Sequence, residues 1–226
     1  MSPPRPILVA THNPGKVREI AALLDAEDPA LRERVRWVSL DDLPDPIPAP
    51  HEDQPTFAAN AALKARYYSR ASGLWTLADD SGLEVDALHG APGVLSARFA
   101  PLDAAAASTG RAAQDDANNR KLIAALRGVP PERRTARFRC CLALANGETL
   151  LATATGAIDG LIIDSPRGAG GFGYDPHFLV PGLGRTTAEL PLAEKNRVSH
   201  RGQALRRLRP VLLAALDGRP AAPARR

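Results

Sequence analysis

The feature of this sequence that most constrains its fold is an apolar segment that leads directly into two adjacent carboxylates. Residues 74–78 are followed by Asp79, Asp80, Ser81 and Gly82. The apolar residues predict a buried strand that ends before the carboxylates, and a Ser-Gly pair is typical of a sharp change of direction. The pattern therefore predicts a strand, a turn and then a second, alternating strand over residues 83–88.

Adjacent side chains of a strand point to opposite faces, so Asp79 and Asp80 share one environment only if the chain turns between them. A carboxylate exposed in a turn at the end of a strand is suited to bind a hard cation or to accept a proton from water. The alternative interpretation is an ordinary acidic surface turn. The choice between the two depends on the rest of the chain.

Length and composition restrict the class of protein. A chain of 226 residues with 44% hydrophobic residues predicts one large domain, or two lobes that share a core. It has no run of about 18 apolar residues, so we predict no membrane partner. Residues 1–6 lack the apolar centre of a signal peptide, which predicts a cytoplasmic protein. The net charge of +4 is small and spread along the chain, which argues against a nucleic-acid partner, although a mildly basic surface attracts polyphosphates.

Cysteine and lysine are both rare in this chain. Cys140 and Cys141 are neighbours, which disfavours a mutual disulfide and a zinc site, so we predict small core residues of a strand. The sequence has 25 arginines and four lysines, which are Lys16, Lys64, Lys121 and Lys195. Where arginine is so strongly favoured, a lysine indicates a position that needs a compact point charge.

The beginning of the chain has the pattern of a strand, a polar loop and a helix. Residues 7–10 are apolar, residues 11–16 contain Asn13, Gly15 and Lys16, and residues 17–24 have apolar side chains at helical spacing. Such a loop directs free backbone N–H groups at an anion, to which Lys16 adds a cation and Asn13 a neutral donor. The glycine and lysine spacing is not that of a Walker A loop. The alternative is an ordinary β-to-α turn with a proline at the first helical position.

A proline-rich loop over residues 44–55 lies between an alternating strand at residues 35–40 and a helix from residue 57 to about residue 72. Thr56 has the character of an N-cap. On that helix Asn60 and Lys64 are four positions apart and project together. The loop is either a plain linker or a stiffened segment that holds a carboxylate over a site, and the helix face is either functional or simply solvated.

The second half of the chain predicts further elements. They are a helix over residues 118–126, a hairpin of residues 136–144 and 149–154 joined by Asn-Gly, a strand over residues 178–180, and a last helix with a stripe of leucines from 205 to 216. Residues 168–175 combine four glycines with Phe172 and Tyr174. This composition predicts a backbone that lies close to a flat ligand, with an aromatic ring available to stack on it.

Taken together, these segments resemble the inosine triphosphate pyrophosphatase family, whose members act on nonstandard purine nucleoside triphosphates. The matching residues form six blocks, which are THNPGK at 11–16, TF at 56–57 with NA at 60–61 and KAR at 64–66, ADDSGL at 78–83, GAPG at 90–93 with SAR at 96–98, GGFGYDP at 170–176, and AEL at 188–190 with Lys195 and SHRG at 199–202. Each block alone is a weak signal, but their order along nearly the whole chain makes the resemblance specific.

The resemblance implies an α/β fold that is elongated and two-lobed, with a curved mixed β-sheet flanked by helices and an active-site cleft between the lobes. We expect this domain to span residues 1–217, with a flexible tail at residues 218–226. The resemblance also implies a homodimer and a Mg²⁺-dependent hydrolase. Its substrates would be inosine, deoxyinosine and xanthosine triphosphates, and its products the nucleoside monophosphate and pyrophosphate.

The resemblance also assigns roles to individual residues. Asp80 corresponds to the catalytic base and a metal ligand, and Ser81 to a substrate contact. The residues of the triphosphate loop are Thr11, His12, Asn13, Pro14, Gly15 and Lys16. The residues of the base-binding loop are Phe172, Gly173, Tyr174 and Asp175. The remaining nucleotide contacts are Lys195, His200 and Arg201.

The sequence departs from the family pattern just before the helix at residue 57. Glu52 is our choice for the second metal ligand, with Asp53 or His51 as alternatives. Magnesium is usually held by one or two carboxylates together with substrate phosphates, which Glu52 and Asp80 would provide. Lys16 and Lys64 would neutralise the remaining phosphate charge while water attacks a phosphorus atom.

The choice of base would follow from hydrogen-bond donors. A 6-oxopurine presents an acceptor where adenine presents an amino donor, and Arg201 can only donate. We therefore predict that Arg201, with the backbone N–H groups after Ser199, selects inosine and xanthosine nucleotides, while Tyr174 or Phe172 covers the ring face.

Two other classes of protein, aspartic proteases and nucleic-acid-binding modules, fit the sequence less well. Asp80-Ser81-Gly82 is the triplet of aspartic proteases, but the sequence has no second Asp-(Ser/Thr)-Gly to complete such a site. A nucleic-acid-binding module requires a basic stripe with interleaved aromatic residues. Aromatic residues make up only 4% of this chain, which disfavours that class.

Overall fold

The computed structural model describes residues 3–27, 29–101 and 110–218. The strands in these ranges are β1 (Arg5–Ala10), β2 (Val35–Ser39), β3 (Trp75–Val85), β4 (Thr135–Asn146), β5 (Thr149–Ile162), β6 (Phe178–Val180) and β7 (Arg185–Thr186). The α-helices are α1 (Pro14–Glu27), α2 (Pro29–Arg34), α3 (Phe57–Ser72), α4 (Arg111–Ala125), α5 (Leu192–Val198) and α6 (His200–Leu216). None of the helices among the described residues is long and apolar enough to cross a membrane.

The strands form one mixed sheet. Their order is β2-β1-β3-β4-β5-β6-β7. Strand β1 is parallel to both β2 and β3, whereas β6 is antiparallel to both β5 and β7. The predicted α/β class with a mixed, helix-flanked sheet is therefore confirmed.

The chain divides into two compact units. The first unit comprises residues 1–80, 140–156 and 200–226, and the second comprises residues 81–139 and 157–199. The assignment of residues 1–217 to a single two-lobed domain remains a prediction. The predicted flexible tail at 218–226 lies, from residue 219 onward, outside the described residues.

In the first unit the side chains of the sheet alternate between two apolar clusters. Ile7, Leu77 and Cys140 belong to a cluster that includes residues of α1 and α6. Leu8 and Ala78 belong to another cluster, which includes residues of α3. The sheet in this unit is therefore covered by helices on both faces, which explains its short, continuously apolar strands.

Local signals place helix α3 correctly. The Thr56 side chain accepts a hydrogen bond from the backbone N–H of Ala59 at 3.2 Å, which satisfies one of the free donors of the first turn. Gly73 ends the helix with a left-handed φ of 70°, a conformation that favours glycine. The predicted N-cap and the predicted helix from residue 57 to about residue 72 are confirmed.

The prediction for residues 74–88 was partly wrong. Strand β3 does not end before the carboxylates but continues from Trp75 to Val85. A short 3-10 helix then occupies Asp86–Leu88, where the second strand was expected to continue. The turn interpretation failed because both carboxylates find cationic partners inside the protein, and this removes the cost of placing them in a buried strand.

The other elements agree with the sequence in type and differ in length. The predicted hairpin of β4 and β5 is present, but its turn residues are Gly147 and Glu148, one position later than predicted, because Asn146 still belongs to β4. Strand β5 continues beyond the predicted end to Ile162. Helix α4 begins at Arg111, earlier than the predicted residue 118. Cys140 is buried on β4 and no disulfide involves either cysteine, as expected.

Candidate active site

Asp79 and Asp80 occupy the middle of β3 and face opposite sides of the sheet. The side chain of Asp79 lies toward α1 and α6, and that of Asp80 lies toward α3. Only 2% of Asp79 and 8% of Asp80 is exposed. The prediction of an exposed acidic turn is therefore wrong, whereas the expectation that neighbouring strand residues occupy different environments is confirmed.

On the α3 side, one lysine joins two carboxylates. The Lys64 Nζ donates to Asp80 Oδ1 at 3.0 Å and to Glu52 Oε2 at 2.8 Å. Burial disfavours the charged form of Lys64, but Asp80 and Glu52 outweigh that effect and raise the pKa of Lys64 above its ordinary value. The α3 face is therefore not a solvated surface; it supplies a buried cation to an acidic pair.

The loop before α3 is fastened to the helix by Asn60. The backbone N–H of Gln54 donates to Asn60 Oδ1 at 3.1 Å, and Asn60 Nδ2 donates to the Gln54 carbonyl at 3.4 Å. Of the three candidate ligands in this loop, Glu52 contacts Lys64. His51 and Asp53 are exposed and lie 3.5 Å from each other. The loop thus holds the Glu52 carboxylate on the lysine that also contacts Asp80. This agrees with the interpretation of a stiffened segment and not with that of a plain linker.

Burial raises the pKa of Asp80 above its ordinary value, in spite of the nearby charges of Lys64 and Lys16. A carboxylate with a raised pKa is a stronger base than an exposed one, and this favours proton abstraction near neutral pH. The Oδ2 atom of Asp80 is buried and has no hydrogen-bond partner among the described residues. A buried acceptor of this kind is free to bind a cation or a water molecule.

The donor set fits Mg²⁺. No group of three or more His, Cys, Asp or Glu side chains in the described ranges could hold a metal ion. A pair of carboxylates is nevertheless what Mg²⁺ requires of a protein when substrate phosphates and water complete its coordination. Glu52 and the unpartnered Asp80 Oδ2 are the atoms that would provide it.

The loop between β1 and α1 is organised by Asn13. Its Oδ1 accepts from the backbone N–H groups of Gly15 and Lys16, at 2.9 and 3.3 Å. Asn13 therefore caps the helix that begins at Pro14. Its side chain accepts hydrogen bonds here, which differs from the predicted role as a donor. His12 Nε2 lies 3.1 Å from the hydroxyl of Tyr68.

The Lys16 side chain forms an ion pair with Asp79. The other oxygen of Asp79 accepts from Arg201 Nε at 3.3 Å, and Arg201 is also paired with Glu19 of α1. Burial disfavours ionised Asp79, but the charges of Lys16 and Arg201 outweigh it and hold the pKa of Asp79 well below its ordinary value. The same two carboxylates, Asp79 and Glu19, raise the pKa of Arg201 against the effect of burial.

This geometry differs from the predicted role of Arg201. Only 1% of Arg201 is exposed, and its guanidinium is directed at two buried carboxylates. The arrangement supports a structural partner of Asp79 and does not support donor matching to a purine, so direct base contact by Arg201 remains a prediction. Glu19 and the pairing of Asp79 were not found from the sequence, because all three ion pairs join segments that are far apart along the chain.

In the second unit, the glycine-rich loop is fixed by the carboxylate of Asp175. It accepts from the backbone N–H of Phe172 at 2.8 Å, from Thr187 Oγ1 at 2.7 Å and from Lys195 Nζ at 2.5 Å. The Lys195 Nζ also lies 5.1 Å from the centroid of the Phe172 ring, within the range of a cation–π contact. Asp175 and Lys195 are both buried, so they shape the loop.

The two aromatic residues of this loop have different environments. Tyr174 is buried in the core of the second unit and its hydroxyl donates to the Ser96 carbonyl at 2.8 Å. Phe172 is partly exposed. The two rings predicted to cover a base thus differ in exposure, and Tyr174 supports the loop from inside.

The structure brings the predicted residues together in two groups. The group in the first unit contains the 11–16 loop, Glu52, Lys64 and Asp80, with Arg201 behind Asp79. The group in the second unit contains residues 172–175 and Lys195. Ser81 follows Asp80 on β3 and is partly exposed, and buried His200 opens α6.

These observations define an α/β protein with a mixed sheet, an acidic pair joined by a lysine, and a glycine-rich loop with a partly exposed phenylalanine. Residues 7–211 match the model of the Ham1 family. The chain belongs to the Ham1 family, and the resemblance inferred from its motifs is confirmed.

Individual relatives agree with this assignment. A dITP/XTP pyrophosphatase of Geobacter sulfurreducens is 51% identical over 199 residues, which cover 88% of this chain and 92% of the relative. A dITP/XTP pyrophosphatase of an Exiguobacterium species is 50% identical over 214 residues, with coverage of 94% and 99%. The structure of a HAM1 protein from Coxiella burnetii has a TM-score of 0.76 and 37% identity, and covers 92% of this chain and 98% of that chain.

Proposed function

We propose that this chain hydrolyses nonstandard purine nucleoside triphosphates, namely inosine, deoxyinosine and xanthosine triphosphates, to the monophosphate and pyrophosphate. The observation that carries the proposal is the contact of Lys64 with both Glu52 and Asp80, because it combines a general base, a metal-binding pair and a cation for phosphate. The relatives named dITP/XTP pyrophosphatases support the choice of substrate class. Such an activity would remove damaged purines from the nucleotide pool.

In this proposal Asp80 accepts a proton from the attacking water. Its raised pKa and its unpartnered Oδ2 support that role. Glu52 and Asp80 would hold Mg²⁺, which when bound would withdraw charge from the phosphates. Lys64 orients the Asp80 carboxylate in the free protein. When substrate binds, the Lys64 ammonium would contribute positive charge to a phosphate group.

The triphosphate would be bound by the 11–16 loop and the base by residues 172–175. Lys16 lies on the first turn of α1, where the helix dipole favours an anion, and its ammonium, which is paired with Asp79 in the free protein, would contribute positive charge there. The partly exposed ring of Phe172 would stack on the purine. Ser81, Lys195 and His200 complete the proposed set of substrate contacts.

We also propose that the protein is a cytoplasmic homodimer that consists of one two-lobed domain over residues 1–217. This proposal rests on the family resemblance. Light scattering coupled to size-exclusion chromatography measures the mass of the particle, and a mass equal to that of one 24.0 kDa chain would contradict the dimer.

The proposed activity predicts a strong preference between bases. With Mg²⁺, kcat/KM for inosine triphosphate is expected to exceed that for adenosine triphosphate by at least about fivefold, because a donor placed opposite the adenine amino group costs about 1–3 kcal/mol. A coupled pyrophosphatase assay that releases orthophosphate measures both substrates. Equal values for the two substrates, or no pyrophosphate from either, would contradict the proposal.

A second prediction concerns the phosphate loop. Lys16→Ala is expected to weaken binding of a non-hydrolysable inosine triphosphate analogue about tenfold or more, and binding of inosine monophosphate about threefold or less, because the lost charge acts on the outer phosphates. Isothermal titration calorimetry measures both dissociation constants. Lys121→Ala is the matched control, since Lys121 of α4 donates to the Phe99 carbonyl and neither constant should change. Equal losses for the two ligands in Lys16→Ala would remove Lys16 from the triphosphate site.

A further inference from the structure

Helix α4 holds one residue of the glycine-rich loop, Gly173, through both of its backbone polar groups. The backbone N–H of Gly173 donates to Asp115 Oδ2 at 2.8 Å, and the Gly173 carbonyl accepts from Asn119 Nδ2 at 2.9 Å. Asp115 and Asn119 are four positions apart and therefore lie on one face of the helix. Gly173 has a left-handed φ of 62°, a conformation that favours glycine. Because glycine has no side chain, only its backbone groups can form these hydrogen bonds.

The same helix also holds a second segment, which precedes α4 in the chain. Asn118 accepts from the backbone N–H of Ala100 at 2.8 Å and donates to the Ser96 carbonyl at 3.2 Å. The hydroxyl of Tyr174 donates to that same Ser96 carbonyl. Helix α4 thus fixes the segment that supports Tyr174 as well as the peptide of Gly173, and the two sets of contacts reinforce each other.

These contacts act where the loop is least able to hold itself. Four glycines among residues 168–173 make the loop costly to order, because glycine loses more backbone freedom than other residues. Asp175 fixes the backbone N–H of Phe172 from within the loop. Asp115 and Asn119 fix the two peptide groups that flank Gly173 from outside the loop, so the backbone on both sides of Phe172 is held.

One detail of Asn119 argues against a purely stabilising role. Its Oδ1 atom is buried and has no hydrogen-bond partner among the described residues. An unpaired buried acceptor costs free energy, which offsets part of what the bond to Gly173 contributes. Asn119 is therefore better explained by the placement of the loop than by stability alone.

We infer that Asp115 and Asn119 are positioning residues that hold the Phe172–Gly173 backbone in the conformation that receives the purine. The inference rests on the proposed function for the identity of the ligand. It explains part of the affinity for the purine base by the order that α4 imposes on the loop. The Asp115 and Asn119 side chains would not contact the substrate. Their contribution is to lower the ordering cost of the loop before the nucleotide arrives.

The test compares Asn119→Ala and Asp115→Ala with the control Asp116→Ala. Asp116 lies on the same helix but is exposed and pairs with Arg120, and alanine preserves the helix in all three variants. Hydrogen–deuterium exchange followed by mass spectrometry should show faster amide exchange over residues 170–175 in the first two variants only. This measurement requires no activity, so it reports on the α4 contacts even if the proposed substrate is wrong.

Steady-state kinetics with inosine triphosphate and Mg²⁺ then test the functional part. KM should rise about tenfold in Asn119→Ala and Asp115→Ala, with kcat within about threefold, because the loss falls on base binding. Calorimetry with pyrophosphate should give an unchanged dissociation constant in every variant. Faster exchange with an unchanged KM would overturn the positioning role, as would unchanged exchange. A wild-type protein that does not hydrolyse inosine triphosphate would instead contradict the proposed function.

Discussion

Asp80→Asn is expected to reduce kcat for inosine triphosphate about a hundredfold or more and to leave the melting temperature within about 3 °C of the wild type. Asparagine has the same shape but cannot accept the proton of water. The fold already disfavours ionised Asp80, as its raised pKa shows, so a neutral side chain costs little stability there. Lys64 keeps Glu52 as a partner.

Steady-state kinetics and thermal unfolding followed by circular dichroism measure the two quantities. Glu84→Gln is the matched control, because Glu84 is a carboxylate of the same strand that pairs with Arg139 near the surface. It should keep kcat within about twofold, since a surface ion pair contributes little. A value of kcat for Asp80→Asn within a few-fold of the wild type would exclude Asp80 as the general base.

Asp79→Asn is expected to affect mainly stability, with a loss of about 3–5 kcal/mol in the free energy of unfolding. The substitution removes one of the two carboxylates that balance Arg201, which is almost completely buried. The melting temperature should fall by roughly 6–20 °C, at about 2–4 °C per kcal/mol for a chain of this size. Because the fold lowers the pKa of Asp79, its contribution is complete above the ordinary carboxyl pKa of about 4 and is measured in full at pH 7.

Urea unfolding of the wild type and the variant measures the difference. Asp217→Asn serves as the control, since Asp217 pairs with Arg34 at the surface and should change the free energy of unfolding by less than about 1 kcal/mol. A midpoint for Asp79→Asn equal to that of the wild type would mean that Lys16 and Arg201 do not depend on Asp79. Neighbouring aspartates would thus separate stability from catalysis.

Signals that act within a few residues were read correctly from the sequence. Thr56 marks the start of α3, and Gly147 lies in the turn between β4 and β5, which begins one residue later than predicted. Each is a local backbone preference, so it needs no knowledge of the rest of the fold. Glu52 contacts Lys64, whereas His51 and Asp53 are exposed, and its role as a metal ligand stays a prediction.

The sequence misled where distant residues decide the outcome. Asp79 and Asp80 suggested a turn because two carboxylates in a buried strand are unfavourable without partners. Their partners Lys16, Lys64 and Arg201 come from three other segments, and no local pattern indicates which lysine meets which carboxylate. Asn119 was missed for the same reason, since its role depends on a loop 54 positions away.

The two-residue period of β3 restricts how the gene can change in length. Removal of one codon between Trp75 and Asp79, with the pairing to β1 preserved, would bring Asp80 to the side of Arg201 and Ser81 to the side of Lys64. Arg201 would still face an aspartate, but a serine hydroxyl would replace the Asp80 carboxylate beside Lys64. Length variation in this protein should therefore accumulate in loops, and β3 should change by substitution alone.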